Sequence, residues 1–476
     1  MGYPKSSMPT DFVTHHTFVG CGTFTRLTER THVGYAVPMA EHKNEIPHTP
    51  TVSRVFTDGS ILELIYESGT PTTQFVLYRD GSITMEASMD AGNEHLVPIS
   101  PGNNLLKHKA VLLPTCSELY TSTQSLMAEL QAYLYRYIDL SPSFLRIASC
   151  YVLLSWVYDA FNELPYLRLR GDYGSGKTRA LIVIGSVCYK PFFASGASTV
   201  SPIFHTLDTF RGTLIFDEAD FRFSDEKAEL VKIFNNGNVR GFPVLRTAIT
   251  LKKEFDPRAF LVYGPKIVAM RNSFQDQALE SRFITEEMGQ RTLRSDIPIN
   301  LPESQQGEAQ HLRNKLLMYR FQTLEHVEIN PELVDRNLSP RLNQILVPLL
   351  SIIEDETLRQ EIREAAKGLE HDLRNEKSSA PEGELLTLLA ELTETTSRSS
   401  ISLGEITNLF TERHGADYDR PITTRYVGHL LRTRLRLHTE KSHGVYVLPL
   451  SEKPKIEALC LRYGIAQKEH HSASDF

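Results

Sequence analysis

Residues 51–86, "TVSRVFTDGSILELIYESGTPTTQFVLYRDGSITME", alternate apolar and polar positions, and Asp58-Gly59 and Asp80-Gly81 interrupt the runs as turns. A period of two puts alternate side chains on one face, so the pattern predicts a hairpin or meander within a β-rich N-terminal region, 1–112. That region carries no chemical motif, and a substrate- or partner-binding role and a structural or oligomerisation role are both open to it. From Ser117 the period changes. Leu119, Leu126, Leu130, Tyr133, Leu134 and Tyr137 recur at helical spacing, and Ser143 can cap a second helix running to about Phe161, which makes 113–163 a helical lead-in. Short β-like runs (166–169, 191–194, 213–216, 266–270) then alternate with helical stretches. This is the pattern of an α/β core, a parallel sheet flanked by helices, and helical residues to about 373 extend it as a lid. The charged, Pro- and Gly-bearing "RNEKSSAPEGE" (374–384) reads as a linker. A small helical domain follows over 385–466, and the polar end, 467–476, is expected to fray.

Composition narrows the class without choosing a function. A chain of 476 residues, 41% hydrophobic and 23% charged, is ordinary for a soluble protein of two to four domains. The net charge of −7 gives no global basic field, so any nucleic-acid site must be local. The five cysteines (Cys21, Cys116, Cys150, Cys188, Cys460) are scattered and never spaced CxxC, which argues against a disulfide framework or zinc cluster and for a reducing compartment. No apolar run reaches the length of a membrane span, and "MGYPKSSMPTDF" lacks an apolar signal core. A cytoplasmic protein is expected, with no membrane partner.

The strongest chemical signal is "LRLRGDYGSGKT", 167–178. Gly171 through Thr178 match GxxxxGK[ST], with a strand-like run before and a helical run after. Glycines at Gly171, Gly174 and Gly176 let backbone N–H groups turn onto phosphate oxygens, Ser175 sits among them, and the following helix aims its positive end at the anion. Lys177 would contact the β- and γ-phosphates and Thr178 would place its hydroxyl on Mg²⁺. About 40 residues on, "GTLIFDEAD" (212–220) supplies acids at the end of an apolar run. Asp217 suits the metal and Glu218 suits polarising the attacking water, which points to ATP hydrolysis rather than transfer to a substrate. The letters DEAD at 217–220 do not make a DEAD-box helicase, because no HRxGR-like motif or Ser-Ala-Thr strand end follows. A transcription-activator ATPase would need a GAFTGA-like loop, which is absent.

With "PKIVAM" (265–270), Arg271-Asn272, "ALESRF" (278–283) and "SPRLNQILVPLLSI" (339–352) added, the chain from about 117 to 450 resembles the AAA+ family. Within it the likeness is to the helicase-like ATPases of phages, plasmids and integrated elements, near the superfamily-3 and minichromosome-maintenance helicases. The resemblance implies that Asn272 senses the γ-phosphate, that Arg282 reaches the neighbouring subunit's site as an arginine finger, and that Arg341, with Arg336 a poorer match, contacts the phosphates from a lid helix. A finger acting between subunits implies a homo-oligomer, a hexamer by resemblance. It also implies that the insertion 235–255, carrying Arg240, Arg246, Lys252 and Lys253, lines a pore and touches the nucleic-acid backbone.

In the tail, "ISLGEITNLFTERHG" and "TTRYVGHLLRTRL" read as helices and "RLHTEKSHGVYVLPL" as a β-wing turning at His443-Gly444, together a winged-helix pattern. Arg425, Arg432, Arg434 and Arg436 fall within 421–439 without an acid before Thr439, the imbalance a DNA-recognition helix wants, although such domains also bind proteins. Related replication proteins often carry a primase domain, whose paired acids or zinc cysteines have no counterpart here. The expectation is a Mg·ATP-dependent DNA helicase or translocase serving mobile-element replication. The open alternative is an ATP-switched regulator or scaffold whose N-terminal β-region binds a protein partner.

Overall fold

The alternating run of the N-terminal region folds as two small sheets. The computed structural model describes residues 47–217, 225–249, 255–274, 276–418 and 420–465. Strand β1 (His48–Thr51) is followed by β2 (Ser53–Val55), β3 (Ile61–Ile65), β4 (Gln74–Arg79), β5 (Ser82–Glu86), β6 (Met89–Ala91) and β7 (Glu94–Pro98). β2 to β5 form an antiparallel meander, while β7 pairs parallel with β1 and antiparallel with β6. The Asp58-Gly59 and Asp80-Gly81 turns fall between strands as expected, with Asp58 accepting the Ser60 N–H.

In its described part, the expected β-rich region 1–112 packs into the same clusters as the residues that follow it. Strand β3, "ILELI", is buried along its whole length. Ile61, Ile65 and Val76 pack in one cluster with Leu126, Tyr133 and Leu316. Leu62, Leu64, Phe75 and Leu77 pack in a second cluster with Phe192, Leu214 and Phe234. The Glu63 carboxylate between them is 1% exposed and meets Lys190 Nζ at 2.8 Å and Arg320 Nε at 2.7 Å. Arg320 also meets Asp159 at 2.6 Å, and the Tyr189 hydroxyl donates to Glu63 at 2.7 Å. Burial opposes the charge on Glu63, but Lys190 and Arg320 outweigh it and hold the carboxyl below its ordinary range. Burial likewise pulls Lys190 down to about 8 against the opposing pull of Glu63.

After α1 (Asn104–Lys107), the expected lead-in helices appear as α2 (Thr123–Tyr137) and α3 (Pro142–Trp156), started by the side chains of Ser122 and Ser141. Leu126, Leu130, Tyr133, Leu134 and Tyr137 are buried as the spacing requires, whereas Leu119 lies ahead of the helix and is exposed. The core then alternates β8 (Tyr166–Arg170), α4 (Lys177–Gly185), β9 (Phe192–Ser195), α5 (Val200–Phe210), β10 (Leu214–Asp217), α6 (Asp225–Asn236), a hairpin of β11 (Val244–Ile249) and β12 (Phe255–Phe260), β13 (Lys266–Met270), α7 (Gln277–Glu280) and β14 (Phe283–Glu287). Five of these strands make one parallel sheet in the order β14-β8-β13-β10-β9. Helices cover both faces because the strands are largely apolar on both sides. On one face α4 packs with α2, α3 and α8 (Ser304–Thr323), and on the other lie α5 and α6.

Helices α9 (Pro340–Ser351), α10 (Glu356–Ser378) and α11 (Pro381–Thr395) follow. The expected linker at 374–384 is therefore mostly helix: α10 runs through its first half, and Pro381, which lacks the N–H that a first helical position leaves unpaired, opens α11 after a two-residue break. Charge in that stretch marks a helix rather than a flexible chain. The C-terminal cluster is built from α11, β15 (Ser400–Ser402), α12 (Leu403–His414), α13 (Thr424–His429) with a single wider turn to Arg434, β16 (Glu440–Ser442), β17 (Val445–Pro449) and α14 (Lys453–Tyr463). Its three strands are antiparallel in the order β15-β17-β16, and the turn falls at His443-Gly444. Helix α14 has no counterpart in the sequence pattern, and the expected frayed end, 467–476, lies outside the described residues. No helix among the described residues is long and apolar enough to cross a membrane.

Candidate nucleotide site

The glycine-rich loop lies between β8 and α4, at the carboxyl edge of the parallel sheet. Its backbone admits no larger residues at two points. A Cβ on Gly171 would stand 2.5 Å from the Met288 carbonyl oxygen, and Gly176, at the N-cap of α4, has φ 89°. The loop thus curls so that α4 begins at Lys177 with its unpaired N–H groups toward the turn. Lys177 Nζ donates to the carbonyls of Gly171 and Asp172, each at 2.6 Å, and so folds back across the loop. Those carbonyls hold the ammonium where a phosphate would otherwise receive it.

Across the sheet, β10 delivers Asp217 beside the loop. The Thr178 hydroxyl donates to Asp217 Oδ2 at 2.8 Å. A hydroxyl and a carboxylate oxygen at that separation, at the end of a cleft lined by Gly174, Ser175, Gly176, Lys177, Thr178 and Asp217, are hard oxygen donors that fit a hydrated Mg²⁺. Glu218, the expected water-polarising group, lies outside the described residues, as do Lys252 and Lys253.

Beside this cleft, of about 320 Å³, a larger one of about 790 Å³ opens along the loop's other flank. Ile138, Met288, Leu293, Ile297 and Ile299 give it an apolar wall, and Arg170, Arg179, Arg271 and Arg291 contribute cations. Arg271 stacks over the Tyr173 ring, 3.3 Å from its centroid, and Arg170 pairs with Glu287 at 2.6 Å. Burial raises the Glu286 carboxyl, although it accepts from the backbone N–H and hydroxyl of Ser141. Sequence reasoning missed these residues. Arg271 carried a signal, a cation directly after the apolar run of β13, whereas the 288–299 segment has no motif. Asn272 follows Arg271 at the same edge and is exposed.

Arg282 stands elsewhere. Its carbonyl accepts the Tyr166 N–H at 2.9 Å at the amino end of β8, whereas the glycine loop follows the carboxyl end. Five residues of strand separate them, roughly 16 Å at 3.3 Å per residue. Arg282 Nε donates to Asn238 at 2.8 Å, and its guanidinium also donates to Asn235 and, at 2.7 Å, to the Ala278 carbonyl. Burial and then the charge of Arg341 lower its pKa, and both arginines act on the buried Tyr166 hydroxyl. Arg341, at the start of α9, therefore lies with Arg282 rather than at the clefts around Lys177. The reason is α9's position, packed on α3 instead of folding over the loop.

The expected DNA-contacting arginines divide in two. Arg246 pairs with Glu229 at 3.1 Å and stacks over Phe204, and Arg240 donates to the Asp159 carbonyl at 2.5 Å over the Tyr263 ring. Arg425, Arg432 and Arg434 are exposed on α13 and the turn after it. Arg434 lies 3.5 Å from Glu382, and Arg432 sits over Tyr446, which is itself half exposed on β17.

No family model and no curated protein matches the chain. Among solved structures it is similar to the SCCmec type IV Cch active helicase at 11% identity, over 87% of this chain and 81% of that one, with a TM-score of 0.37. The apo C-terminal region of NrS-1 in its A form gives 11% identity over 82% and 96%, with a TM-score of 0.33. The Aeropyrum pernix ORC1 protein in complex with DNA gives 14% over 70% and 95%, with a TM-score of 0.20. Likeness at this level says nothing of what the chain binds or turns over.

Proposed function

We propose that the chain is an AAA+ ATPase that hydrolyses Mg·ATP in an oligomer and moves on DNA as a helicase or translocase, in the replication of a mobile element. The observation that carries the reading is the separation of Arg282 from Lys177 to opposite ends of one sheet. An arginine whose backbone lies a strand's length, roughly 16 Å, from its own phosphate loop is placed to stabilise a transferring phosphoryl group in another subunit's site. A ring, a hexamer on the family resemblance, brings the two ends together. Bound at Thr178 and Asp217, Mg²⁺ would neutralise charge on the transferring phosphate. Lys177 and the loop amides orient the β- and γ-phosphates, Glu218 orients water, and Asn272 reads the γ-phosphate. The apolar wall of the larger cleft suits the base. Arg341, beside Arg282, is assigned to the neighbour's phosphates as well.

The hairpin β11–β12, with Lys252 and Lys253 in the sequence between its strands, suits a pore contact, and the order helix–strand–helix–helix–strand–strand over 381–449 supports a winged helix with Arg425, Arg432 and Arg434 toward DNA. The test is ATP turnover of the full chain with and without DNA. Turnover should rise with DNA and vanish in Lys177→Ala and Glu218→Gln. DNA-indifferent turnover with ATP-dependent assembly would instead favour the switched scaffold.

A further inference from the structure

A second cavity, of about 340 Å³, lies away from the nucleotide clefts, between the N-terminal sheets, α8 and the far end of α4. Its wall is largely apolar, with Leu106, Val111, Leu113, Ile182, Phe193 and Ala309 among the lining residues. Set into it is Arg313, 5% exposed on α8. This guanidinium faces no carboxylate among the described residues. It donates to the Ser186 carbonyl at 2.5 Å and to Gln310 Oε1 at 2.5 Å, and its Nε–H has no hydrogen-bond partner. Every other strongly buried arginine among the described residues meets an acid: Arg168 meets Glu280, and Arg320 meets Glu63 and Asp159. Burial pushes Arg313 down to about 10 against the opposing effect of Tyr133. The exposed Lys109, in left-handed backbone with φ 54°, lines the same cavity.

A buried cation with only neutral acceptors and an unmet donor is costly, and the C-terminal end of α4 offsets that in part, because Ser186 is its cap. The remainder is a cavity with an apolar body, a buried positive centre and a second cation at the rim. We propose that it binds a small amphipathic anion, a compact carboxylate or phosphate head against Arg313 and Lys109 with an apolar body against Val111, Ile182 and Phe193. The volume suits a ligand of metabolite size. Because Arg313 holds the last turn of the helix that begins at Lys177, occupancy is felt at the glycine loop's own helix. The site does not depend on the ATPase reading, since its occupant is recognised by other residues.

The experiment is titration calorimetry on the full chain without nucleotide, using octanoate, phenyl phosphate and neutral 1-octanol. Saturable binding of octanoate or of phenyl phosphate, at least tenfold tighter than octanol, supports the site, and the tighter of the two identifies the head group. Arg313→Gln should remove that preference, and Lys109→Glu, an exposed change that leaves folding intact, should weaken the anion several-fold. Equal binding of octanol and octanoate, no saturable binding, or unchanged affinity in Lys109→Glu overturns it. ATP-analogue binding by the same variants is read separately and should persist.

Discussion

The guanidinium of Arg168 and the carboxylate of Glu280 meet at 2.6 Å with only 5% and 8% of their side chains exposed. Arg168 belongs to β8, the strand that delivers the glycine loop, and Glu280 stands two residues before Arg282. The same carboxylate accepts the Phe274 N–H, two residues after Asn272. One buried ion pair therefore ties together the strand that leads into the glycine-rich loop, the segment that follows Asn272 and the segment that carries Arg282. Glu280→Ala leaves a buried guanidinium uncompensated and should lower the unfolding free energy by about 3–5 kcal/mol. A urea midpoint shift equivalent to less than about 0.5 kcal/mol would show that the pair is not structural.

The Thr178–Asp217 contact is expected to become a metal contact. Thr178→Ala and Asp217→Asn should each reduce ATP hydrolysis on the order of a hundredfold. Binding of a fluorescent ATP analogue in EDTA should stay within about threefold of the parent, because the loop amides are intact. Equal weakening of metal-free binding in both variants would point to a collapsed loop instead.

Mixing separates the two ends of the sheet. Lys177→Ala loses its own site but keeps Arg282, and Arg282→Ala does the reverse. Each alone should be inactive, and an equimolar mixture should recover measurable turnover from the interfaces that pair an intact loop with an intact finger. No recovery on mixing would mean that Arg282 acts within its own chain or not at all.

The local motif is legible because its elements are consecutive: Gly171 to Thr178 form one loop with neighbours in the sequence, and the helical spacing of Leu126 through Tyr137 needs only its own turn. What failed to show was long-range compensation. Glu63 in "ILELI" looks like a strand's solvent-facing residue, because its partners Lys190 and Arg320 lie far along the chain. "RNEKSSAPEGE" reads as a linker because composition alone does not distinguish a charged helix from a charged loop. Arg341 was given a role by its local context, and only the packing of α9 on α3 sets which end of the sheet it joins.

The buried network also sets a pH response. Glu63 and Asp159 both have carboxyls held low by Lys190 and Arg320 against the effect of burial. Their unfolded forms take up protons near 4.5 and 3.8, ahead of the folded forms. Their stabilisation is therefore complete above about pH 5 and is lost as pH falls toward the depressed folded values. Urea midpoints at pH 7, 5, 4 and 3 should fall along this limb, and Glu63→Gln should be weaker at pH 7 with a flatter acid limb. Parallel curves for parent and variant would contradict the assignment.

For the C-terminal arginines, replacing Arg425, Arg432 and Arg434 together by Ala should weaken DNA binding uniformly across sequences. The slope of log affinity against log salt should shrink by about 0.9 for each phosphate that the variant no longer neutralises. An unchanged slope would place the DNA-binding surface elsewhere, on the β11–β12 hairpin.

The way Glu63 closes the charge of Lys190 and Arg320 bears on how such a chain can change over evolutionary time. A front module joined by a loose tether can be exchanged for another as a cassette, leaving the core behind it untouched. Here the first strands supply counter-charge for cations set deep in the α/β core, so a swap would strand the Lys190 ammonium and leave Arg320 with Asp159 alone unless the incoming segment placed an acid at the same spot. Front strands and α/β core must be inherited together, and diversification falls to what is attached outside that border.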